Sequence, residues 1–295
     1  MRHMGNKLSM GFVLVVLLAS CDTTRYAYSP NAHNVPLLAK QWDSKVSANY
    51  STNAANIDDQ SNSTTANTYS RNRSNGYDLQ AALAVTNNIA IQGNYYSRSE
   101  KTNGSAYNGD SSVVRYKRNL AEFGAGYFTS INKKGKIFFQ VFGGVGFGKL
   151  KLTEAARDFN GVQYTRFYNS DILKYYLEPA IIFRSSKEVF AASISTRFSV
   201  INFKRVNTNY TLDEKQTYNL DSLNRYAIYF LEPAFVNSFG FNKLPGFRIE
   251  YQLGLSIPLD VTSDFILDYR PFNFSIGLSF DIGKLIKGSA NKNDD

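Results

Sequence analysis

The sequence predicts an all-β chain: an antiparallel up-and-down transmembrane β-barrel of about ten strands, with eight to twelve compatible. Three observations lead there. Apolar and polar residues alternate with period two over long segments, as in strands with two unlike faces. The connections between these segments are by turns short and long, as in barrels with tight periplasmic turns and longer outer loops. Beyond residue 22 no apolar run approaches the roughly 20 residues that a helix needs to cross hydrocarbon.

The first element in chain order is a leader. The apolar run from Leu8 to Ala19 is too short to span a bilayer; Arg2 and Lys7 precede it and the small residues Ala19 and Ser20 close it. That is the plan of a secretory signal peptide, residues 1–20. Leu18-Ala19-Ser20-Cys21 resembles the lipobox of bacterial lipoproteins, in which cleavage leaves the cysteine as the acylated first residue. The resemblance implies palmitate-type chains on Cys21 and makes residues 21–41 a lipidated tether to the first strand. Each buried methylene adds about 0.8 kcal/mol, so two or three acyl chains hold a protein firmly. The chain has one cysteine, so an internal disulfide and multi-thiolate metal clusters are excluded.

The barrel is expected over residues 42–283, with strands near 42–52, 76–86, 89–100, 113–130, 136–151, 163–184, 188–204, 223–238, 246–258 and 269–283. The clearest is "FRIEYQLGLSI", where Phe247, Ile249, Tyr251, Leu253, Leu255 and Ile257 alternate with Arg248, Glu250, Gln252, Gly254 and Ser256. "YDLQAALAV" and "IAIQGNYY" alternate likewise and are joined by the turn Thr86-Asn87-Asn88. The Gly-rich "GGVGFG" at 143–148 has no following helix or Lys-Ser/Thr pair to make a phosphate loop, and reads as small residues that permit close packing or curvature in a strand. "LEPA" occurs at Leu177–Ala180 and again at Leu231–Ala234. Proline removes a ladder donor, so bulges are expected at Pro179 and Pro233. An even strand count places both chain ends in the periplasm, and a polar tail, residues 284–295, follows the last strand.

With these elements in place, the chain resembles the Bacteroidota-type outer-membrane β-barrel proteins, in particular their lipidated members. The stretches that carry the likeness are "NVPLLAKQWDSKVSANYS", "DLQAALAVTNNIAIQGNYYS" and the closing "PFNFSIGLSFDIG". The resemblance implies a fold and a place, the outer membrane of a Gram-negative bacterium with a lipid anchor at Cys21, and leaves the activity open.

On function, no enzyme is expected. The two histidines, His3 and His33, fall in the leader and the tether, so no Ser-His or Asp-His base sits on an expected strand or loop. No cofactor or metal is expected. The alternation points Glu122, Glu178, Arg197, Glu232, Arg248, Glu250 and Asp281 into the lumen, where they either lock a small barrel by ion pairing or line a polar channel. The net charge of +9 points to anionic partners. Arg115, Lys117, Arg118, Lys149, Lys151, Lys204 and Arg205 gather where strands leave the outer leaflet and are candidates for lipopolysaccharide phosphates. Basic residues dispersed over strand ends, with no recognition module, speak against nucleic acid. The expected role is a structural or accessory envelope component, acting alone or with another outer-membrane protein complex. The alternatives are a narrow pore for small polar solutes and a soluble barrel lipoprotein that binds a hydrophobic ligand.

Overall fold

In the computed structural model the described residues are 25–54, 73–106, 111–158, 160–185, 189–259 and 269–283. The leader, Cys21 and the 284–295 tail lie outside them. The elements are β1 (Ser44–Ala54), β2 (Arg73–Ala84), β3 (Ile89–Ser105), β4 (Ser111–Ser130), β5 (Ile137–Arg157), β6 (Gln163–Arg184), β7 (Phe190–Thr208), α1 (Leu212–Thr217), β8 (Ile228–Phe241), β9 (Leu244–Leu255), β10 (Ile257–Pro258) and β11 (Phe272–Phe280). Each long strand pairs antiparallel with the next, and β11 joins β9 to β1. The two-residue β10 only prolongs pairing along β8, so ten strands form a closed wall. The seam runs from Val46 opposite Phe280 to Ala54 opposite Phe272.

Every expected strand is present, and the differences lie at the ends. β5 continues to Arg157, past the expected boundary at 151. The reason is a reversal of polarity along the wall. In the half nearer the short turns, Phe123, Phe147, Tyr175, Leu177, Ile194 and Phe198 face outward, while Glu122, Gln140, Lys174, Glu178 and Arg197 are buried within. Toward the long loops the outward positions become Lys117, Lys149 and Lys151, and Leu120, Leu150, Leu152 and Phe203 turn inward. Apolar outside and polar inside suits a wall in lipid, whereas the inverse is an ordinary core in water. The switch from Phe147 to Lys149 marks the membrane boundary on β5.

At the long-loop mouth the segment after β7 folds back as a lid. Tyr210, Tyr218, Leu220 and Leu223 are buried with the inward apolar residues of β4 to β8. Sequence periodicity did not show α1, which is one short helix set by a capping box. The Thr211 N–H donates to Glu214 Oε2 at 2.7 Å, and the Glu214 N–H donates to Thr211 Oγ1 at 3.3 Å. Glu214 also accepts from Arg166 Nε at 2.9 Å, which ties the helix to β6.

The bulges expected at the two prolines are absent. β6 pairs with β7 at Leu177–Phe198 and again at Ala180–Ser195 in one register, so the ladder skips Glu178 and Pro179 without slipping. Pro233 pairs in register with Thr196 on β7, and β9 meets β8 only from Ala234 onward. A missing donor opens a gap in the ladder on one side, and the intact ladder on the other side holds the register. The irregularity on β6 lies instead between Asn169 and Asp171, opposite Arg205, a non-glycine residue with φ of 50°.

Candidate functional site: the filled lumen

The largest departure from expectation concerns residues 25–41. They do not hang from the barrel as a tether; they run through it. Arg25, Ala27, Tyr28, Asn31, Ala32, His33, Val35 and Leu38 are all buried. At the long-loop mouth the Arg25 guanidinium donates to Glu154 Oε1 at 2.6 Å and lies 4.0 Å over the Tyr218 ring. Burial pushes the Tyr218 hydroxyl up to about 12, with Arg25 pulling the other way. Halfway down lie Tyr28 and Asn31. At the short-turn mouth Val35 packs with Phe138 and Ile182, and Leu38 with Ala84, Phe128 and Phe142. The chain then reverses over residues 39–43. The Asp43 carboxylate accepts from the Ala39 and Lys40 N–H groups at 2.8 and 3.1 Å, Trp42 takes φ of 70°, and β1 begins.

An irregular segment inside a barrel must satisfy its backbone without a ladder. Wall side chains take over that task. The Ala32 N–H donates to Asp78 Oδ1 at 3.2 Å and the His33 N–H to Gln252 Oε1 at 3.0 Å. Gln80 Nε2 donates to the carbonyls of Ala32 and His33 at 3.2 and 3.1 Å, and Asn53 Nδ2 to that of Pro30 at 3.0 Å. Arg118 donates to the Tyr26 carbonyl, and the Arg270 backbone N–H, just before β11, donates to that of Tyr28 at 2.9 Å. An eight-stranded barrel is filled by its own side chains alone. Ten strands leave room for one further chain, and this segment occupies it.

The polar centre is built around Arg197 on β7. The two "LEPA" segments put Glu178 on β6 and Glu232 on β8, one on each side of it. Arg197 Nε donates to Glu178 Oε2 at 2.6 Å, and its Nη1 to Asn31 Oδ1 at 2.9 Å. Glu232 lies directly opposite Arg197 in the ladder, and its carboxylate accepts from the Tyr28 hydroxyl at 2.6 Å and from Ser199 at 2.6 Å. Lys174 Nζ bridges Glu122 at 3.2 Å and Glu232 at 3.5 Å, and also donates to Asn31 Oδ1 at 3.1 Å. Asn31 Nδ2 in turn donates to Glu122 Oε2 at 2.8 Å. Asn31 is thus the residue through which the segment joins two buried cations and a carboxylate from three strands.

Of the seven residues expected in the lumen, Glu122, Glu178, Arg197, Glu232 and Glu250 are buried inside. Glu250 pairs with Lys45 at 2.7 Å. The other two stand at the short-turn mouth. Arg248 is half-buried and donates to Ser238 Oγ at 2.5 Å, and Asp281 follows the end of β11. Alternation missed Arg25, Asn31 and His33 because they lie on no strand.

His33, expected in a tether outside the barrel, lies inside it with the rest of the segment. Its Nδ1 faces Ser195 Oγ at 2.5 Å and Glu178 Oε1 at 3.8 Å. A serine relay uses the two ring nitrogens for two different partners, one for the serine and one for the carboxylate. Here one nitrogen faces both, and the ring is 3% exposed, so the geometry is that of a held imidazole.

The wall is packed closely where glycines allow it. Tyr176 of β6 lies across Gly144 of β5 and Gly124 of β4, and its hydroxyl accepts from Gln92 Nε2 of β3 at 3.0 Å. A Cβ at Gly144 would meet the Phe123 carbonyl at 2.2 Å and the Tyr176 ring at 2.7 Å. Gly144→Val is therefore expected to cost about 1–3 kcal/mol. A fall in the temperature at which unboiled protein loses its compact gel mobility would show it, and an unchanged midpoint would refute it.

The outer basic cluster is nearly as expected. Arg115, Lys117, Lys149, Lys151, Lys204 and Arg205 are exposed on the outer wall. Arg118 is not among them. It points inward with 1% exposure and pairs with Glu100 at 3.2 Å, because even-numbered positions of β4 face the lumen. Lys117 stands directly opposite Lys151, and Lys101 opposite Arg115. Like charges so placed repel one another unless an anion lies between them. Phe147, Lys149, Lys151, Leu173 and Lys204 share one shallow depression on the wall with Asp171, whose carboxylate pairs with Arg205 and stands opposite Lys149 and Lys204 in the ladder, so the basic residues there outnumber the one acid.

No family model matches the chain, and no curated protein does. Among solved structures it is similar to the outer membrane protease OmpT from Escherichia coli, with TM-score 0.42 and 10% identity over 81% of this chain and 95% of that one. It is also similar to two deletion mutants of the TodX monoaromatic hydrocarbon channel. These give TM-scores of 0.33 and 0.30 at 8% identity, over 82% and 83% of this chain and 90% of each of theirs. Neither activity passes to this chain on such a likeness. From its own apolar belt and polar interior, the chain is an outer-membrane-type β-barrel, with a lumen filled by its own N-terminal segment.

Proposed function

We propose that this protein is a lipid-anchored, non-enzymatic outer-membrane barrel of the Bacteroidota type, with a structural or accessory role in the envelope. The observation that carries the reading is the filled lumen: the segment through it is bonded to the wall on all sides, and the buried charges around it are ion-paired. A passage for solutes needs weak, exchangeable contacts along its length, and here the contacts are those of a protein interior. A soluble carrier of hydrophobic ligands needs the opposite polarity, with an apolar cavity and a polar outer surface.

Such a barrel acts through its surfaces. The loop face and lid are available to another outer-membrane protein complex, and the basic belt meets the bilayer just above its apolar band. Phosphates of lipopolysaccharide at that height would separate the opposed lysines. Reversal of Lys149, Lys151 and Lys204 to glutamate is expected to remove most of the lipopolysaccharide retained through detergent purification. An equal phosphate content in the triple variant and the parent would sink the lipid assignment. The accessory role is tested by purification in mild detergent, where a stoichiometric partner supports it and a monodisperse lone barrel counts against it.

A further inference from the structure

The direction of the lumenal segment carries an inference about the face on which the chain starts. In an even-stranded barrel the first and last strands begin and end on the same side. Here β1 starts and β11 ends at the short-turn mouth, where the chain continues past Phe280. The residues before β1 do not stay on that side. They pass from the short-turn mouth at Asp43, by way of Leu38, His33 and Asn31, to the long-loop mouth. There Arg25 meets Glu154, and Tyr210 donates to the same carboxylate at 2.6 Å. Tyr28 forms a parallel bridge with Tyr269, in the connection between β10 and β11 on that side.

We infer that the mature N-terminus is presented at the long-loop face, across the membrane from the end of β11. This rests on the lipid-anchor reading above in one respect only: acyl chains on Cys21 would then be held in the outer leaflet. Three residues separate Cys21 from Arg25, and the four steps between them span at most about 14 Å of extended chain. That is too little to return through a barrel about 30 Å deep. The lumen is filled and the seam between β1 and β11 is continuous, so an acylated end could not enter afterwards. The wall must close around the segment as the barrel forms, with the N-terminus already on the outer side. The consequence is a surface-displayed lipid anchor or attachment point beside the loops that would meet a partner.

The chain has one cysteine, which makes the test simple. Single cysteines are introduced in the full protein by Thr24→Cys, by Asn160→Cys in the loop between β5 and β6, and by Lys134→Cys in the turn between β4 and β5. Intact cells are treated with a membrane-impermeant maleimide. Thr24→Cys is expected to label like Asn160→Cys, while Lys134→Cys labels only after the outer membrane is permeabilised. If Thr24→Cys follows Lys134→Cys instead, the terminus lies on the turn side and the inference is overturned. The parent protein reads the lipid separately. If it stays unlabelled after denaturation, Cys21 is blocked as an acyl anchor requires. If it labels when denatured, the lipid reading fails, and the accessibility of Cys21 in intact cells then reports the face of the terminus in place of Thr24→Cys.

Discussion

Purified, folded full-length protein is expected to show no steady conductance in a planar bilayer, and deletion of residues 25–38 to produce it. The deletion removes Arg25, Tyr28, Asn31 and His33 from a lumen whose remaining wall groups include Glu122, Lys174, Glu178, Arg197 and Glu232. Stripped of the segment, these ionised groups face a gap one polypeptide wide. Water fills a polar gap of that size, because unpaired buried charge costs more than hydration. Reproducible current steps from the deletion variant together with silence from the parent would establish the segment as the seal. Current from the parent would favour the narrow-pore alternative, with a segment that leaves the lumen. Silence from a deletion variant shown to be folded would mean that the wall side chains close the lumen unaided. Compact mobility of unboiled protein in detergent gels supplies the folding control.

Loss of Arg197 is expected to be the most damaging single truncation in the wall. The side chain is fully buried, pairs with Glu178 at 2.5 Å through Nη2, and donates to Asn31. Arg197→Ala leaves Glu178 without a cation and weakens the hold on the lumenal segment. Breaking one half of a buried pair costs about 3–5 kcal/mol. Arg197→Lys keeps the charge but loses the planar fork, so an intermediate loss is expected. Replacing both partners, Arg197→Met with Glu178→Met, should recover much of the loss, since no charge is then left buried alone. Urea midpoints for mobility loss of the three variants provide the check. Equal losses for the single and double replacements would show that the pair is not coupled as described.

The ten-stranded wall was legible because its cause is local. Lipid on one side and a polar lumen on the other force alternation, and alternation is visible within a few residues, as in β9 and β11. The inward parity of Arg118 was legible too. It shares a face with Tyr116, Leu120 and Glu122, and only its proximity in sequence to Arg115 and Lys117 grouped it with the outward cluster. The lumenal segment was harder. Pro30 and Pro36 keep it out of a helix or ladder, so it has no period, and its partners lie far along the chain, as with Tyr28 and Glu232. One signal was present. Tyr26, Tyr28, Val35, Leu37 and Leu38 are too many large apolar residues for a solvated tether.

The sequence by itself determined the kind of wall: an antiparallel barrel of about ten strands, and which end carries the long connections. All of these follow from two-residue periodicity and its interruptions. Only the tertiary structure decided what fills the wall and in which direction residues 25–41 run through it. Those depend on barrel closure, which sets a lumen wide enough for one chain and brings Asn31 against Glu122, Lys174 and Arg197. No local pattern encodes that meeting, because its energy exists only once the ring of strands is complete.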